Sequence, residues 1–286
     1  MQDGEPTKLT LWQRMGMRAL RRKAGRREGE PLEPEDWEVV WRLHEYGFNR
    51  AFNWLFFTLP RSPRCGVCGA PFAGIGRWVA RPLGYRPSRK NPTVCATCVE
   101  LAPPGGMKMP TGILFADLRG FTARFEGADP QEASKVLRRF YRCAEDVLFP
   151  KAIIDKLIGD EVMALYLPFL KRDFPSEEVP TVMLEHAREL LRAVGYGSGG
   201  QPFVEMGIGL DFGEAFVGNI GQRALYDFTA VGDVVNTASR LQGQAAGGEI
   251  MLSERVARGL PHPVGRHEQL TLKGKSEPES AYRVSI

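Results

Sequence analysis

Residues 151–168 read KAIIDKLIGDEVMALYLP, two apolar segments separated by Gly159-Asp160. A Gly-Asp pair between two strand-like segments predicts a tight antiparallel hairpin. Helical patterns lie on both sides of it, at residues 132–149 and 181–194. Strands that alternate with helices, with hairpins among them, predict an α+β fold with one mostly antiparallel sheet and helices packed on it.

Further segments extend this pattern in both directions along the chain. Asp129-Pro130 has the chemistry of a helix N-cap followed by the first helical residue. Phe212-Gly213 is interpreted as a turn between two strands. The expected additional strands are residues 112–116, 204–211, 214–221, 249–252, 267–272 and 280–285, with a strand after Asp227 that leads into a helix.

Length and composition are those of an ordinary globular protein, with 286 residues, 43% hydrophobic and 25% charged. No apolar run reaches about 18 residues and no secretory signal is evident, so the cytoplasm is the expected compartment. The net charge of +4 divides into +8 over residues 1–110 and −4 over residues 111–286. The proline- and glycine-rich residues 102–106 mark the expected boundary between the two regions.

The basic front of the chain has two expected parts, a helical region at residues 1–60 and a four-cysteine module at residues 61–102. Residues 9–27 form a basic amphipathic pattern, and a second helix is expected from Pro34 to Leu59. A basic amphipathic helix can lie on an anionic membrane surface, here with residues 8–27. Packing of this helix on the acidic C-terminal domain of its own chain is the favoured interpretation, because most apolar stripes face a core.

Two CxxC pairs are the strongest signal in the front region. They place four thiolates in two short chelating turns, a set that suits tetrahedral zinc and predicts a structural zinc site at Cys65, Cys68, Cys95 and Cys98. An iron–sulfur cluster and a redox pair remain alternatives. Nucleic acid is not an expected partner, because few aromatic residues accompany the basic ones. Cys143 stands alone and is interpreted as a buried apolar residue.

Two features of residues 110–286 indicate chemistry. Asp117 ends a buried strand and Asp160 lies at the hairpin tip, so two carboxylates could share a hard divalent cation such as Mg²⁺ or Mn²⁺. The alternative is that Asp117 caps a turn and Asp160 simply forms one. Asn236 and Arg240 lie four residues apart and therefore share one helix face. An arginine there could neutralise a phosphate, although such a pair is more often a solvated surface.

Four segments in order resemble the successive motifs of class III nucleotidyl cyclase catalytic domains, over about residues 110–286. They are FADLRGFT at 115–122, KLIGDEVMA at 156–164, GIGLDFGEA with VGNIG at 207–221, and TAVGDVVNTASRL at 229–241. Four motifs in order are far more specific than any one alone. The resemblance implies a ferredoxin-like α+β core, in agreement with the pattern above.

The resemblance also implies roles for individual residues. Asp117 and Asp160 match the carboxylates that hold two Mg²⁺ or Mn²⁺ ions. Lys156 matches the lysine that reads adenine. Its chemistry suits this role, because an ammonium donates to adenine N1. Thr229 matches the second base-reading position, where its hydroxyl can accept from or donate to a base, so the discrimination between bases is open.

Three further roles concern the ribose and the phosphates. Asn236 matches the residue that orients the ribose, and Arg240 the residue that stabilises charge on the α-phosphate in the transition state. Lys273, in LTLKGK, matches a lysine that binds the terminal phosphates, with Lys275 as its rival.

In the family each active site is assembled from two catalytic domains, and this chain carries one copy of each motif. The resemblance therefore implies a head-to-tail homodimer with shared sites. It predicts an adenylate cyclase that converts ATP to 3′,5′-cyclic AMP and pyrophosphate. The alternatives are a cyclase acting on GTP or a pyrimidine nucleotide, and a catalytically silent zinc-ribbon regulator that senses nucleotide.

Overall fold

The computed structural model describes residues 11–28, 30, 32–37, 39, 63–65, 68–89, 91–99, 105–149, 151–168, 174–222 and 225–286. The chain forms two compact units. One takes in the described residues up to Lys108 together with Phe216–Ala230, and the other takes in those of 109–169, 173–215 and 231–286. Within the described ranges, no helix has both the length and the apolar character needed to cross a membrane.

The strand-like segments of the sequence form a sheet of eight strands. Their bounds are β1 Gly105–Leu118, β2 Ile153–Ile158, β3 Glu161–Tyr166, β4 Met206–Gln222, β5 Leu225–Val231, β6 Glu249–Ser253, β7 Arg266–Leu270 and β8 Glu279–Ser285. The order across the sheet is β2-β3-β1-β4-β6-β8-β7, and β5 pairs with β4. β4 and β6 run parallel, whereas the β1–β3, β2–β3, β6–β8 and β7–β8 pairs are antiparallel. The predicted α+β class is confirmed.

Eight helices are described. They are α1 Leu11–Lys23, α2 Gly74–Ala80, α3 Ala96–Val99, α4 Phe121–Phe125, α5 Pro130–Leu148, α6 Val179–Val194, α7 Asp233–Gln244 and α8 Glu254–Arg258. The predicted start of α5 is confirmed, because the Asp129 side chain accepts a hydrogen bond from the backbone N–H of Gln131 and Pro130 opens the helix. Short 3₁₀ turns occupy Pro34–Asp36 and Ser176–Glu178.

The larger hydrophobic core lies between the sheet and the helices α5 and α6. α5 contributes Phe140, Ala144 and Leu148, which are at most 1% exposed. Met183 and Leu190 of α6 are fully buried in the same cluster. Full burial of one such large side chain stabilises a fold by about 1.5–3 kcal/mol. This packing fixes the sheet from which the candidate site residues project.

Three expectations about secondary structure need correction or fall outside the described residues. Phe212-Gly213 is not a turn, because β4 continues through both residues. Gly105 and Gly106 are not part of a linker, because β1 begins at Gly105. The second front helix expected from Pro34 to Leu59 falls almost wholly outside the described residues.

The other compact unit has a small core of its own. Leu20 of α1 packs with Leu32 and the fully buried Trp37. An ion pair supports this contact, with Arg26 Nε 2.7 Å from the Asp36 carboxylate. The amphipathic helix expected over residues 9–27 is a shorter helix, and Leu20 packs on Leu32 and Trp37 of the front region. Leu11 and Met15 of the same helix are 66% and 44% exposed.

Candidate active site and cysteine cluster

Two carboxylates come together where β1 meets the hairpin of β2 and β3. Asp117 stands one residue before the end of β1, and Asp160 lies in the turn between β2 and β3. The backbone N–H of Leu118 donates to the backbone oxygen of Asp160 at 3.2 Å, which fixes the strand end against the turn. Glu161 lies directly opposite Asp117 in the β1–β3 pairing, so a third carboxylate joins the pair.

The electrostatics of this corner show an excess of negative charge. Burial raises the pKa of the Asp117 carboxyl, and the charge of Asp160 raises it further. Burial likewise raises the pKa of Glu161, with added contributions from Asp117 and Asp160. Ionised carboxylates in this position are disfavoured until a cation compensates them. The corner is therefore suited to binding a cation, with Asp117 still 24% exposed to an approaching ligand.

One cationic side chain already lies beside Asp117. Arg119 Nη1 is 3.4 Å from the Asp117 carboxylate, and Arg119 Nη2 donates to the backbone oxygen of Gln242 in α7. The Arg119 backbone N–H donates to the Glu205 oxygen at 2.8 Å. Two nearby nitrogens, Arg119 Nε and Gln242 Nε2, are buried and have no hydrogen-bond partner in the described part of the chain.

Helix α7 presents the predicted Asn236 and Arg240. Its buried face consists of Val234, Thr237, Ala238, Leu241 and Gln242. Asn236 is exposed and Arg240 is half-buried, as expected for residues beside that face. Asp233 opens the helix, where a negative charge is favourable.

The two lysines predicted as alternatives for phosphate binding, Lys273 and Lys275, lie between β7 and β8. Lys273 is exposed. Lys275 is 18% exposed, and its ammonium lies 2.7 Å from the Asp233 carboxylate and 2.9 Å from that of Glu279. Between the lysines, a Cβ added at Gly274 would be 3.3 Å from Arg240 Nη2, so Arg240 lies against this turn. Lys273 is the lysine that remains accessible to a ligand.

A charge network supports the start of α7 from the other side. Asp211 of β4 is fully buried and accepts two hydrogen bonds from Arg255 of α8, one of them at 3.0 Å from Nε. Arg255 also lies 3.7 Å from Asp233. Burial raises the pKa of Asp211, although Arg255 opposes that shift. The Lys275 ammonium, by contrast, holds the pKa of Asp233 below its usual range.

The two predicted base-reading residues lie on different strands. Lys156 is half-buried in β2, at a point where the pairing register with β3 shifts between Ile154 and Lys156. Such an irregularity re-aims a side chain relative to a regular strand. Thr229 is 7% exposed in β5, and it belongs to the other compact unit.

Comparison with known proteins identifies the fold around these residues. Residues 107–284 match the family model of the adenylate and guanylate cyclase catalytic domain. The chain belongs to this family. An adenylate cyclase of Anabaena cylindrica is 32% identical over 183 residues, which cover 60% of this chain and 36% of that protein. The terminal-differentiation adenylate cyclase of Dictyostelium discoideum is 27% identical and matches over 8% of its own length.

Solved structures of cyclases agree with this family assignment. The guanylyl cyclase Cya2 superposes with a TM-score of 0.56 and 30% identity, covering 63% of this chain and 93% of Cya2. The adenylyl cyclase CyaB from P. aeruginosa has the same TM-score at 24% identity, with 63% and 95% covered, and shows the shared fold. The chain spans about a third of the length of the first curated relatives that it matches.

The four cysteines precede the region that matches the cyclase family, and the structure brings them together. Their Sγ atoms all lie within 4.8 Å of one another, and Cys65, Cys68 and Cys95 are buried. Two sulfur–sulfur distances are 3.6 Å, for Cys68 and Cys95, and 4.0 Å, for Cys65 and Cys98. Tetrahedral zinc with Zn–S bonds of about 2.3 Å requires about 3.8 Å between sulfurs. A disulfide would require about 2 Å.

Backbone contacts around the cluster also suit thiolates. The N–H groups of Cys68 and Cys95 point at the Cys65 sulfur, at 3.4 Å and 3.2 Å. Burial acts to raise the pKa of Cys65, but hydrogen bonds within the cluster outweigh it and hold that pKa well below its usual value. The pKa of Cys95 is instead raised by burial, and that of Cys98 by hydrogen bonds with the other cysteines, so these thiols share their protons unequally. Among the described residues, these cysteines form the one group of three or more His, Cys, Asp or Glu side chains placed to hold a metal ion together.

Sequence reasoning missed several residues that the structure adds to the cyclase site. Glu161 directly follows Asp160, and Arg119 is two residues from Asp117, so proximity in sequence could have suggested both. Gln242 and Asp211 gave no such signal, because their partners Arg119 and Arg255 are distant in sequence. Cys143 is half-buried, and its sulfur lies 3.6 Å from the backbone oxygen of Ala193.

Proposed function

We propose that this chain is an adenylate cyclase that forms 3′,5′-cyclic AMP and pyrophosphate from ATP at sites shared between two copies. The observation that carries the proposal is the corner at Asp117 and Asp160. Membership of the cyclase family gives that corner its chemical context. The pKa of Asp117 is raised by burial and by Asp160, so the corner holds negative charge that a cation would compensate.

The donor set of this corner fits Mg²⁺ or Mn²⁺, because hard carboxylate oxygens are the ligands these ions prefer. Asp117 and Asp160 would hold them. When bound, two such ions would lower the pKa of the ribose 3′-hydroxyl and neutralise the polyphosphate. In the reaction, the 3′-oxygen would form a bond to the α-phosphorus, its proton would pass to water, and the bond to the pyrophosphate leaving group would break.

The remaining residues bind and orient ATP in this proposal. Asn236 is exposed and would orient the ribose. Arg240 would neutralise charge that develops on the α-phosphate, where a guanidinium offers several donors in a fixed plane. Lys273 would bind the terminal phosphates, which its exposure permits.

Adenine is the proposed base because Lys156 can donate to adenine N1, whereas guanine N1–H requires an acceptor. The Thr229 hydroxyl could accept from the adenine amino group. The relatives include both an adenylate cyclase and a guanylyl cyclase at similar identity, so the proposal of adenine rests on the chemistry of Lys156.

A homodimer is part of the proposal because each chain carries one copy of each motif. Apolar side chains next to the predicted base-reading residues support it. Leu157 and Ile158 are 42% and 57% exposed, and Val231 is 55% exposed. Large exposed apolar groups commonly mark surfaces that a partner covers.

We also propose a structural zinc ion at the four cysteines. The sulfur spacing and the N–H groups directed at Cys65 support a closed tetrathiolate site, which usually serves folding. The front region, divided into residues 1–60 and 61–102, would then support the cyclase domain at residues 110–286 rather than take part in the chemistry.

The substrate test incubates the purified chain with each nucleoside triphosphate and Mn²⁺, and identifies cyclic products by mass spectrometry. We expect cyclic AMP as the main product, and none from Asp117→Ala. Cyclic GMP as the main product would overturn the choice of adenine. No cyclic product from any nucleotide would overturn the cyclase proposal itself.

A further inference from the structure

We propose that Arg119 is a positioning residue that couples the Asp117 carboxylate to helix α7, and thereby couples the two active sites of the dimer. The inference rests on the proposed function for the roles of Asp117, Asn236 and Arg240. Its structural basis is a single guanidinium that contacts both elements.

The contacts of Arg119 define this bridge. One end of its guanidinium lies 3.4 Å from the Asp117 carboxylate, and the other donates to the backbone oxygen of Gln242. Gln242 lies in the last turn of α7, two residues after Arg240. An arginine can hold two acceptors in a fixed geometry because its donors form a planar fork.

The guanidinium has little freedom to move elsewhere. A Cβ at Gly207 of β4 would lie 2.6 Å from both Nε and Nη2 of Arg119, so the side chain lies directly on that glycine. The Arg119 side chain is 23% exposed. Its backbone N–H is held by the Glu205 oxygen.

Two buried donors at this contact have no hydrogen-bond partner among the described residues. Arg119 Nε is buried without a hydrogen-bond partner in the described part of the chain, and so is Nε2 of Gln242, a residue 5% exposed. The Gln242 amide is nonetheless close enough to lower the pKa of Asp117. Buried donors without partners are unfavourable, so holding the guanidinium between Asp117 and α7 carries an energetic cost.

Loading Asp117 with a divalent cation would remove the carboxylate partner of Arg119 and place a like charge beside it. The guanidinium would then depend on α7 alone. In a dimer with shared sites, the Asp117 of one chain serves one site and the α7 of the same chain serves the other. Metal occupancy at one site would therefore be transmitted through Arg119 to Asn236 and Arg240 of the second site.

Two substitutions separate the effect of the positive charge of Arg119 from the effect of its double contact with Asp117 and helix α7. Arg119→Gln removes a positive charge beside Asp117 and should tighten Mn²⁺ binding about three- to tenfold. Arg119→Lys keeps the charge but loses the fork, so Mn²⁺ affinity should stay near that of the unaltered chain. Bound Mn²⁺ is measured without substrate from the loss of the free-ion electron paramagnetic resonance signal. Arg258→Gln, an exposed arginine of α8, is the matched control.

A mixed dimer then tests the coupling between sites. Asp117→Ala chains are mixed with Arg240→Ala chains, so that a single complete site forms from Asp117 of the second chain and Arg240 of the first. Arg119→Gln in the Arg240→Ala chain should lower the Mn²⁺ activation constant of that site. Placed instead in the Asp117→Ala chain, it should lower kcat roughly five- to tenfold with the Mn²⁺ constant unchanged.

The outcomes separate this inference from the function on which it rests. No activity in the parent mixture would overturn the shared sites, and the direct Mn²⁺ measurement would still test the charge effect of Arg119. An active parent mixture in which Arg119→Gln acts equally from either chain, or from neither, would overturn the coupling. Equal Mn²⁺ affinity in Arg119→Gln and Arg258→Gln would overturn the contact with Asp117.

Discussion

The cysteine cluster and the Asp117 corner both offer anionic side chains to a cation, but they differ in closure and in ligand chemistry. The cysteines are soft ligands with all four sulfurs within 4.8 Å and three of the four residues buried. The carboxylates are hard ligands, and Asp117 is 24% exposed. A closed site holds a fold together, whereas an open site leaves room for a substrate. The same chain thus offers one site of each kind.

The largest expected effect comes from removing the charge of the open site. Asp117→Asn should lower kcat/KM about a thousandfold, because a metal-binding carboxylate is lost at the reacting centre. The stability of the folded state should not fall. Since the fold raises the pKa of Asp117, its ionised form costs stability as pH rises above the unfolded value of about 3.9.

Thermal melts at neutral pH check this contrast between activity and stability. Without metal, Asp117→Asn should melt at or up to about 3 °C above the unaltered chain. Addition of Mn²⁺ should raise the melting temperature of the unaltered chain more than that of the variant. Asp146→Asn, an exposed residue of α5, should change neither activity nor stability. A metal-free variant that melts well below the unaltered chain would contradict this account.

At the cysteine cluster, substitution should affect bound metal and the stability of the front region. Cys65→Ser should reduce bound zinc from about one ion per chain to nearly none, because a three-thiolate site no longer completes the tetrahedron. Loss of the metal should also expose the front region to proteolysis, since metal binding and folding are linked. Cys143→Ser is the matched control and should keep its zinc. Iron with visible absorption in the purified chain would contradict the zinc assignment and indicate an iron–sulfur cluster.

A smaller effect distinguishes the two lysines of the turn after β7. Lys273→Met should raise the KM for ATP about tenfold with little change in melting temperature, because an exposed phosphate contact is lost. Lys275→Met should instead lower the melting temperature by about 2–4 °C, because Asp233 and Glu279 lose their partner. Steady-state kinetics and melts of both variants provide the test. The reverse pattern would make Lys275 the phosphate ligand.

Local patterns predicted much of the fold. The hairpin at Gly159-Asp160 and the cap at Asp129 depend on residues close together in sequence, and both are confirmed. Phe212-Gly213 was wrongly interpreted as a turn, because a glycine within a strand resembles one between two strands. The pairing of β4 with its neighbours outweighs the local weakness of that glycine.

The candidate site was predictable only in part. The conjunction of four motifs predicts Asp117, Asp160, Asn236 and Arg240 as site residues, but it predicts none of the contacts that support them. Arg119 contacts the backbone of Gln242, an interaction that no sequence pattern marks because any residue has a carbonyl. Lys273 and Lys275 are equivalent in sequence, and the structure separates them by their ion pairs.

The continuity of β4 has a consequence for any attempt to isolate the catalytic region. The strand runs unbroken for 17 residues, and its second part, from Phe216, belongs to the same compact unit as the start of β1. There the backbones meet so closely that a Cβ at Gly106 would lie 2.4 Å from the Val217 oxygen. A fragment that begins at residue 110 would retain residues 216–222 but lose this part of β1. Residues 216–222 would then have unpaired backbone groups along one edge, and we expect such a fragment to aggregate.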